Sequence, residues 1–364
     1  MKILTVCSGL DFINYTRRAS IEAIHKLNPD LDILLFNSVL NIRRKKNISN
    51  RLNFFYYHFW AVEKLRILKV FSLLEYSLRF IKWRSFFRRY EVIFFLDPNQ
   101  YYLLPYLNKD QKLIYLLRDP SVLQDHKNSR RELPIIKRAN IILGISHNLC
   151  SYYFDKYYSN IPEKVKLWPN MVDLNLWDFK RWEPFFKDKS RPLIGLAGNI
   201  NYVIDIELLH FVISRLPEYD FEIAGKLDLN KNEKVVWGEL LNLPNVKYLG
   251  LIPYNEFPEK VINWNIGLVA AKPDHEYATY LNNNKQYQYL ALGKPFVSYR
   301  YSVDYSVFED LVFIANDKLD FVDKVKMAIK KSNEKNIIER GIRIASGQSA
   351  EIRAKQFLEI AINL

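Results

Sequence analysis

The sequence predicts an α/β protein built from two Rossmann-like, doubly wound domains that face a cleft. Its 364 residues, of which 49% are hydrophobic and 26% charged, suit two globular domains. Short apolar runs rich in β-branched and aromatic residues alternate with helical patterns, which is typical of parallel sheets covered on both faces. This alternation stops once and then resumes, so we expect two separate sheets.

Each half of the chain contains six candidate strands. In the first half they are Lys2–Cys7, Asp32–Phe36, Glu91–Leu96, Lys112–Leu117, Asn140–Ile145 and Val165–Trp168. In the second half they are Leu193–Ala197, Phe221–Ala224, Val246–Leu249, Ile266–Ala270, Phe296–Tyr299 and Leu311–Ala315. Residues 178–191 carry Pro184 and mixed charge without periodicity, so they are predicted to link domain 1–180 to domain 190–348. Residues 349–364 are predicted to form a helix that packs back toward the first domain.

The positive charge is concentrated in one part of the first domain. Residues 41–90 contain 13 Lys or Arg against Glu63 and Glu75, so they carry +11 of the net +13. Within them, residues 51–89 interleave basic residues with aromatic and leucine residues, as in helices that lie in the headgroup region of anionic membranes. The alternative is that the apolar residues pack on the first domain and the charges are merely solvated. A nucleic-acid partner is not expected, because no nucleic-acid-binding module accompanies the patch.

Several other classes of protein are not expected. No uninterrupted apolar run is long enough to span a bilayer, and the first residues are typical of a strand rather than a signal peptide. The two cysteines form no disulfide framework, and the six histidines have no metal-ligand spacing. We therefore expect a cytoplasmic protein, attached peripherally to the inner face of the membrane, without a metal or cofactor.

One stretch of the second domain, residues 282–297, is predicted to bind a diphosphate. Three asparagines, ending with Asn284, are candidates to cap a helix whose free N–H groups and dipole favour an anion. Lys285 adds a charge there, and Gln288 lies one turn further along the same face, where it can reach ribose hydroxyls or a base edge. Gly293 suits the left-handed position after the helix. The alternative is an ordinary amphipathic helix with a solvated Lys and Gln.

Other polar or glycine-containing segments follow predicted strands, where loops line the ligand crevice of such folds. In the second domain the candidate binding residues are Asn199, Lys226, Leu251, Ile252 and Tyr254. In the first domain, Asp119 directly follows a strand and is placed to act as general base, or alternatively to cap the turn at Pro120. Gly9 and Asp11 are candidates for the acceptor side, with a solvated turn as the alternative.

Five pieces of the second domain resemble, in order and spacing, GT-B glycosyltransferases of bacterial surface polysaccharide synthesis. They are Leu193–Asn199, Phe221–Lys226, Pro244–Gly250, Asn265–Lys272 and Asn284–Val297. Residues 168–173 resemble the family's Pro-Asn-Gly-Val-Asp, with Met171 where Gly is usual. Many relatives carry Glu-Tyr where this chain has Gln288-Tyr289, but a Lys-x-x-Gln here is similar to the membrane-associated, xanthan-type glucuronosyltransferases.

This resemblance implies particular roles. In the xanthan-type enzymes the Lys and Gln contact a uridine diphosphate, and an Asp in a Tyr-Arg-x-x-Asp segment is the base. Tyr115, Arg118 and Asp119 resemble that segment with a different Arg-to-Asp spacing. The implied activity is an inverting, metal-independent hexosyl or glucuronosyl transfer from a UDP-sugar to a lipid-linked or glycan acceptor, as in capsule synthesis. The alternatives are a non-catalytic GT-B-like membrane partner and a GT-B-type nucleotide-sugar epimerase.

Overall fold

The computed structural model describes residues 1–8, 18–38, 53–59, 80–124, 128–158, 163–187, 190–299 and 303–364. The chain divides into two units. The first unit contains Met1–Pro169 and Ala350–Leu364, and the second contains Asn170–Ser349. Residues 170–180, which the sequence assigns to the first domain, therefore belong to the second unit. Among the described residues, no helix has both the length and the apolar character needed to cross a membrane.

The first unit is built on a seven-stranded sheet in which every pair of neighbouring strands is parallel. The strand order is β3-β2-β1-β4-β5-β6-β7. The strands are β1 (Ile3–Ser8), β2 (Leu31–Ser38), β3 (Asn53–Phe59), β4 (Val92–Phe95), β5 (Lys112–Leu117), β6 (Ile141–Gly144) and β7 (Val165–Leu167). The central β4 and β6 are buried along their whole length, as the near-continuous apolar runs predict.

Helices connect these strands. They are α1 (Arg18–Leu27), α2 (residues 80–87), a 3₁₀ helix (Pro98–Tyr106), α3 (Ser121–Gln124), α4 (Asn128–Arg138), α5 (His147–Cys150) and α6 (Tyr152–Tyr158). A last helix, Ala350–Ile362, returns to this unit. The Phe357 ring lies 4.6 Å from that of Phe94, and the indole of Trp168 donates to the carbonyl of Arg353. Ring packing and a buried hydrogen bond thus hold the helix on the first sheet.

Residues 53–59 form a strand that is not among the six predicted for the first half of the chain. These residues form β3, which pairs in parallel with β2 along its whole length. The segment is a run of aromatic residues without a single Lys or Arg, and aromatic side chains favour the pleated surface of a strand. In α2, Trp83 and Phe87 are buried and Ile81 is exposed. Residues 41–52 and 60–79 lie outside the described residues.

The second unit contains a six-stranded parallel sheet in the order β10-β9-β8-β11-β12-β13. Its strands are β8 (Leu193–Ala197), β9 (Asp220–Ala224), β10 (Val246–Gly250), β11 (Ile266–Val269), β12 (Phe296–Tyr299) and β13 (Val312–Ala315). All six agree with the predicted strands to within a residue or so, because each is a short run that contains apolar residues and lies between turn residues.

The helices of the second unit cover both faces of its sheet. They are α7 (Phe179–Trp182), α8 (Ile206–Ser214), α9 (Lys231–Leu241), α10 (Phe257–Val261), α11 (Glu276–Thr279), α12 (Asn284–Ala291), α13 (Lys318–Lys331) and α14 (Lys335–Ser346). Two 3₁₀ helices, Glu183–Phe185 and Val303–Leu311, complete the unit. Gly293 has φ +70°, the left-handed conformation expected directly after α12. Pro295 then leads into β12.

Candidate functional site

Three neighbouring strands of the second sheet end at glycines with positive φ. Gly198 follows β8 with φ +120°, Gly225 follows β9 with φ +149°, and Gly250 ends β10 with φ +69°. The amide of Gly198 donates to the carbonyl of Ala224, and that of Gly225 donates to the carbonyl of Gly250. A Cβ on Gly225 would lie 1.8 Å from the carbonyl oxygen of Gly198. The edge is therefore built from packed main chain that a ligand can approach closely.

Lys285, the second residue of α12, points at this glycine edge. A Cβ on Gly198 would lie 2.6 Å from the Lys285 Nζ atom. The side chain is half-buried, and this burial lowers the pKa of Lys285 to about 8. Within the described part of the chain, Nζ is paired with neither a carboxylate nor a hydrogen-bond acceptor. An ammonium group that has lost part of its hydration without gaining a partner is well suited to receive an anion.

Gln288 is buried on the same helix and contacts Tyr254. Its Nε2 atom donates to the Tyr254 hydroxyl oxygen over 3.3 Å, and the indole N–H of Trp177 donates to the same oxygen over 3.1 Å. Burial raises the pKa of Tyr254 to about 12, so the phenol is neutral. The contact of Gln288 with ribose or base stays a prediction. Trp177 is absent from the predicted site, and nothing in its sequence neighbourhood indicates this contact.

The remaining candidate binding residues of the second unit differ in how far their side chains are exposed to solvent. Asn283 stands at the N-cap position of α12 without a side-chain capping bond. The carbonyl of Lys226 accepts the amide of Ile200, which fixes the loop after β9 against the loop after β8. The predicted residues that are exposed are Asn199, Lys226 and Leu251, and those that are half-buried are Ile252, Tyr254 and Asn284.

Asp119 lies at the carboxyl end of β5 in the first unit. Its Oδ2 atom forms an ion pair of 2.6 Å with the Nε atom of its neighbour Arg118, and both side chains are partly exposed. Tyr115, which the resemblance groups with them, is instead fully buried inside the unit. Gly9 and Asp11, the predicted acceptor-side residues, lie outside the described residues. Of the candidate residues in the first unit, the structure therefore describes Asp119 alone.

Glu132 of α4 is a buried carboxylate that sequence reasoning missed. It accepts hydrogen bonds of 2.7 Å from the hydroxyl groups of Tyr115, Tyr153 and Tyr158. Burial raises the pKa of Glu132 and the hydroxyl hydrogen bonds oppose that rise. The tyrosines lie far from Glu132 in sequence, so no local pattern signals the cluster. Among the described residues, no group of three or more His, Cys, Asp or Glu could hold a metal ion.

The sequence is similar to one bacterial protein over part of its length. It is 28% identical over 169 residues to a Bacillus subtilis (strain 168) protein named as a teichuronic acid biosynthesis glycosyltransferase, TuaH. The match spans 46% of this chain and 42% of TuaH, so the chain matches less than half of that relative. No protein-family model matches the chain.

Solved structures resemble the chain over its whole length. Anabaena HepE in complex with UDP has a TM-score of 0.72 at 14% identity and covers 100% of both chains. The sucrose-phosphate synthase of Thermosynechococcus elongatus has a TM-score of 0.76 at 12% identity and covers 100% of this chain and 98% of its own. The UDP-GlcNAc 2-epimerase of Neisseria meningitidis has a TM-score of 0.65 at 14% identity, with 100% of both covered. Together with the two parallel sheets, these likenesses show that the chain adopts the two-domain α/β fold of GT-B glycosyltransferases.

Proposed function

We propose that this protein is a glycosyltransferase that moves a sugar from a nucleotide sugar, expected to be UDP-linked, to a lipid-linked or glycan acceptor in cell-surface polysaccharide synthesis. The proposal rests mainly on the half-buried ammonium of Lys285, which lies beside the positive-φ turn at Gly198 and has no ion-pair partner among the described residues. A diphosphate placed there would give Lys285 an electrostatic partner that compensates for the hydration lost on burial. Support also comes from the name of TuaH and from the UDP bound to HepE.

The donor half of the reaction needs stabilisation of a leaving diphosphate. As the bond between the sugar's anomeric carbon and the diphosphate breaks, negative charge grows on the phosphate oxygens. Lys285 and the positive end of the α12 helix dipole supply positive charge that is already oriented before the reaction begins. Asn199 and Lys226 would contact the phosphates, and the 251–254 loop would contact the uracil ring of the nucleotide.

The acceptor half needs a base. In the proposed inverting reaction, Asp119 takes the proton of the acceptor hydroxyl while the acceptor oxygen attacks the anomeric carbon, and the nucleoside diphosphate leaves. A partly exposed carboxylate at the carboxyl end of a central parallel strand occupies the usual position for such chemistry. Arg118 holds that carboxylate in one orientation through the ion pair described above.

The decisive experiment compares two lysines with similar environments. Burial lowers the pKa of both Lys285 and Lys294 to about 8, but Lys294 lies beyond the other end of α12, over the ring of Phe186. We expect Lys285→Ala to lower nucleotide release from a UDP-sugar by at least about a hundredfold, and Lys294→Ala to retain it. The readout is UDP formation by the purified protein with a membrane extract as acceptor. Equal activity of wild type and Lys285→Ala would reject the assignment.

Two other functions predict different results. A nucleotide-sugar epimerase, which the likeness to the Neisseria enzyme favours, would turn over its UDP-sugar without any acceptor. A non-catalytic partner that keeps the fold but has lost donor binding would show no heat of UDP binding in calorimetry. Transfer that requires acceptor and is accompanied by UDP release would exclude both.

We also propose that the protein attaches peripherally to anionic membrane through the first unit. In the described residues, Arg84 and Arg88 of the basic stretch line a groove of about 1030 Å³ together with Lys109 and Lys112. Basic residues near an anionic surface each contribute on the order of 1 kcal/mol. Ile81 is exposed on α2 one turn before Arg84, and exposed Arg88 directly follows the helix.

Vesicle sedimentation tests this attachment. We expect binding to vesicles that contain phosphatidylglycerol, none to pure phosphatidylcholine, and weaker binding as salt rises. The double variant Arg84→Ala/Arg88→Ala should bind less than Lys231→Ala/Lys234→Ala, which removes the same charge from α9 of the second unit. Salt-independent binding, or an equal loss in both variants, would count against the proposed surface.

A further inference from the structure

The buried carboxylate of Glu132 holds the main chain on both sides of Asp119. On one side, the hydroxyl of Tyr115 on β5, four residues before Asp119, donates to Glu132 Oε1 over 2.7 Å. On the other side, Ser121, two residues after Asp119, also hydrogen-bonds to Glu132. The segment that carries Asp119 is therefore attached at both ends to one buried carboxyl group.

Tyr153 strengthens the second attachment. Its hydroxyl donates to Glu132 Oε2 over 2.7 Å, lies 3.3 Å from the Ser121 hydroxyl and accepts the amide N–H of Val122 over 3.4 Å. One phenol thus connects the carboxylate to both residues that begin α3. Because Tyr153 and Glu132 are fully buried, these bonds are shielded from competing water.

Tyr158 provides a natural contrast. Its hydroxyl donates to the same Oε2 atom over the same 2.7 Å, but among the described residues it forms no hydrogen bond with residues 118–122. Within the described part of the chain, no basic side chain is paired with Glu132, so hydroxyl groups alone satisfy the carboxylate. A helix can pack on a strand through apolar side chains alone, and such packing in place of Glu132 and its hydroxyl partners would bury no polar group.

We propose that Glu132, acting through Tyr153 and Ser121, is a positioning residue that fixes the place of Asp119. It does not touch substrate. Its role is to hold the strand end and the following turn in one arrangement, so that the carboxylate of Asp119 stays within reach of the acceptor hydroxyl. The inference rests on the proposed role of Asp119 as base. A displacement of about 1 Å at a catalytic group can cost about a hundredfold in rate.

The test compares Tyr153→Phe with Tyr158→Phe, since each removes one hydroxyl from the same carboxylate oxygen. We expect Tyr153→Phe to lower kcat by about ten- to a hundredfold, with an unchanged KM for the UDP-sugar. Tyr158→Phe should retain kcat, although its melting temperature falls by a similar amount. Glu132→Gln, which keeps the shape of the side chain, should lower kcat in the same way as Tyr153→Phe.

The outcomes separate this inference from the proposed function. Asp119→Asn is measured in parallel, together with UDP binding by calorimetry. If Asp119→Asn is inactive but Tyr153→Phe and Tyr158→Phe keep equal kcat values, the positioning role is overturned and the base assignment stands. If Asp119→Asn keeps wild-type kcat, the base assignment fails and the positioning role fails with it, whereas UDP binding still reports on the donor site.

Discussion

The carboxyl edges of the two sheets are built in opposite ways. In the second unit, three strands end at positive-φ glycines, and the Lys285 side chain lies beside one of them, Gly198. In the first unit, the strand ends are held by side chains. Gln100, fully buried, accepts the amides of Leu96 and Asp97 and donates to the carbonyl of Val6, so one amide group joins the ends of β4 and β1.

This difference matches two different tasks. A diphosphate can be bound by several main-chain N–H groups, and it can approach them closely where glycine leaves no side chain in the way. Proton transfer needs one carboxylate held within hydrogen-bond reach of its partner, and side chains that brace the surrounding main chain provide that. The second edge therefore suits binding of the donor, and the first suits chemistry on the acceptor.

The largest effect is expected from filling the glycine edge. Gly225→Ala would place a Cβ 1.8 Å from the Gly198 carbonyl oxygen, so the two turns cannot keep their packing. We expect this variant to lose more than about 3 kcal/mol of unfolding free energy, or to fail to fold. Denaturant unfolding monitored by tryptophan fluorescence measures the loss.

Gly250→Ala is the matched control. Gly250 also has positive φ, but a Cβ there would meet no atom within 4 Å. Only the left-handed backbone conformation is then penalised, at about 1–2 kcal/mol. Equal losses in the two variants would mean that conformation alone, and not the contact between the two turns, demands glycine at this edge.

The sequence predicts the second unit much better than the site. Its six strands follow from short apolar runs. The left-handed conformation of Gly293 is also predictable, because a glycine directly after a helix is a local signal. The burial of Gln288 against Tyr254 and the cluster around Glu132 depend on residues brought together only by folding. β3 was missed because its aromatic residues sit within a highly charged stretch, where tertiary pairing with β2 decides the structure.

A smaller effect is expected when pH is raised through the pKa of Lys285. That pKa is lowered to about 8, so the free protein loses the ammonium charge above that pH, whereas a bound diphosphate favours the charged form. UDP affinity should therefore be highest near pH 7 and fall about fivefold between pH 8 and 9. Calorimetry in buffers of different ionisation enthalpy should also show proton uptake on binding near pH 8.

The same two lysine variants identify the titrating group. Lys285→Ala should remove the pH dependence together with most of the affinity. Lys294→Ala should retain both, although burial lowers the pKa of Lys294 to a similar value. If the fall in affinity disappears in Lys294→Ala instead, the group linked to binding lies at the wrong end of α12 for the proposed diphosphate site.

The smallest effect is expected from removing divalent cations. A Mg²⁺-dependent donor site holds the ion through carboxylates beside the diphosphate. Lys285 has no electrostatic partner among the described carboxylates, and its own ammonium together with the start of α12 supplies positive charge in the same place. Nucleotide release in EDTA should thus stay within about twofold of that in Mg²⁺. Strong stimulation by Mg²⁺ would mean that a cation shares the charge with Lys285, and that the glycine edge does not act as a metal-independent donor site.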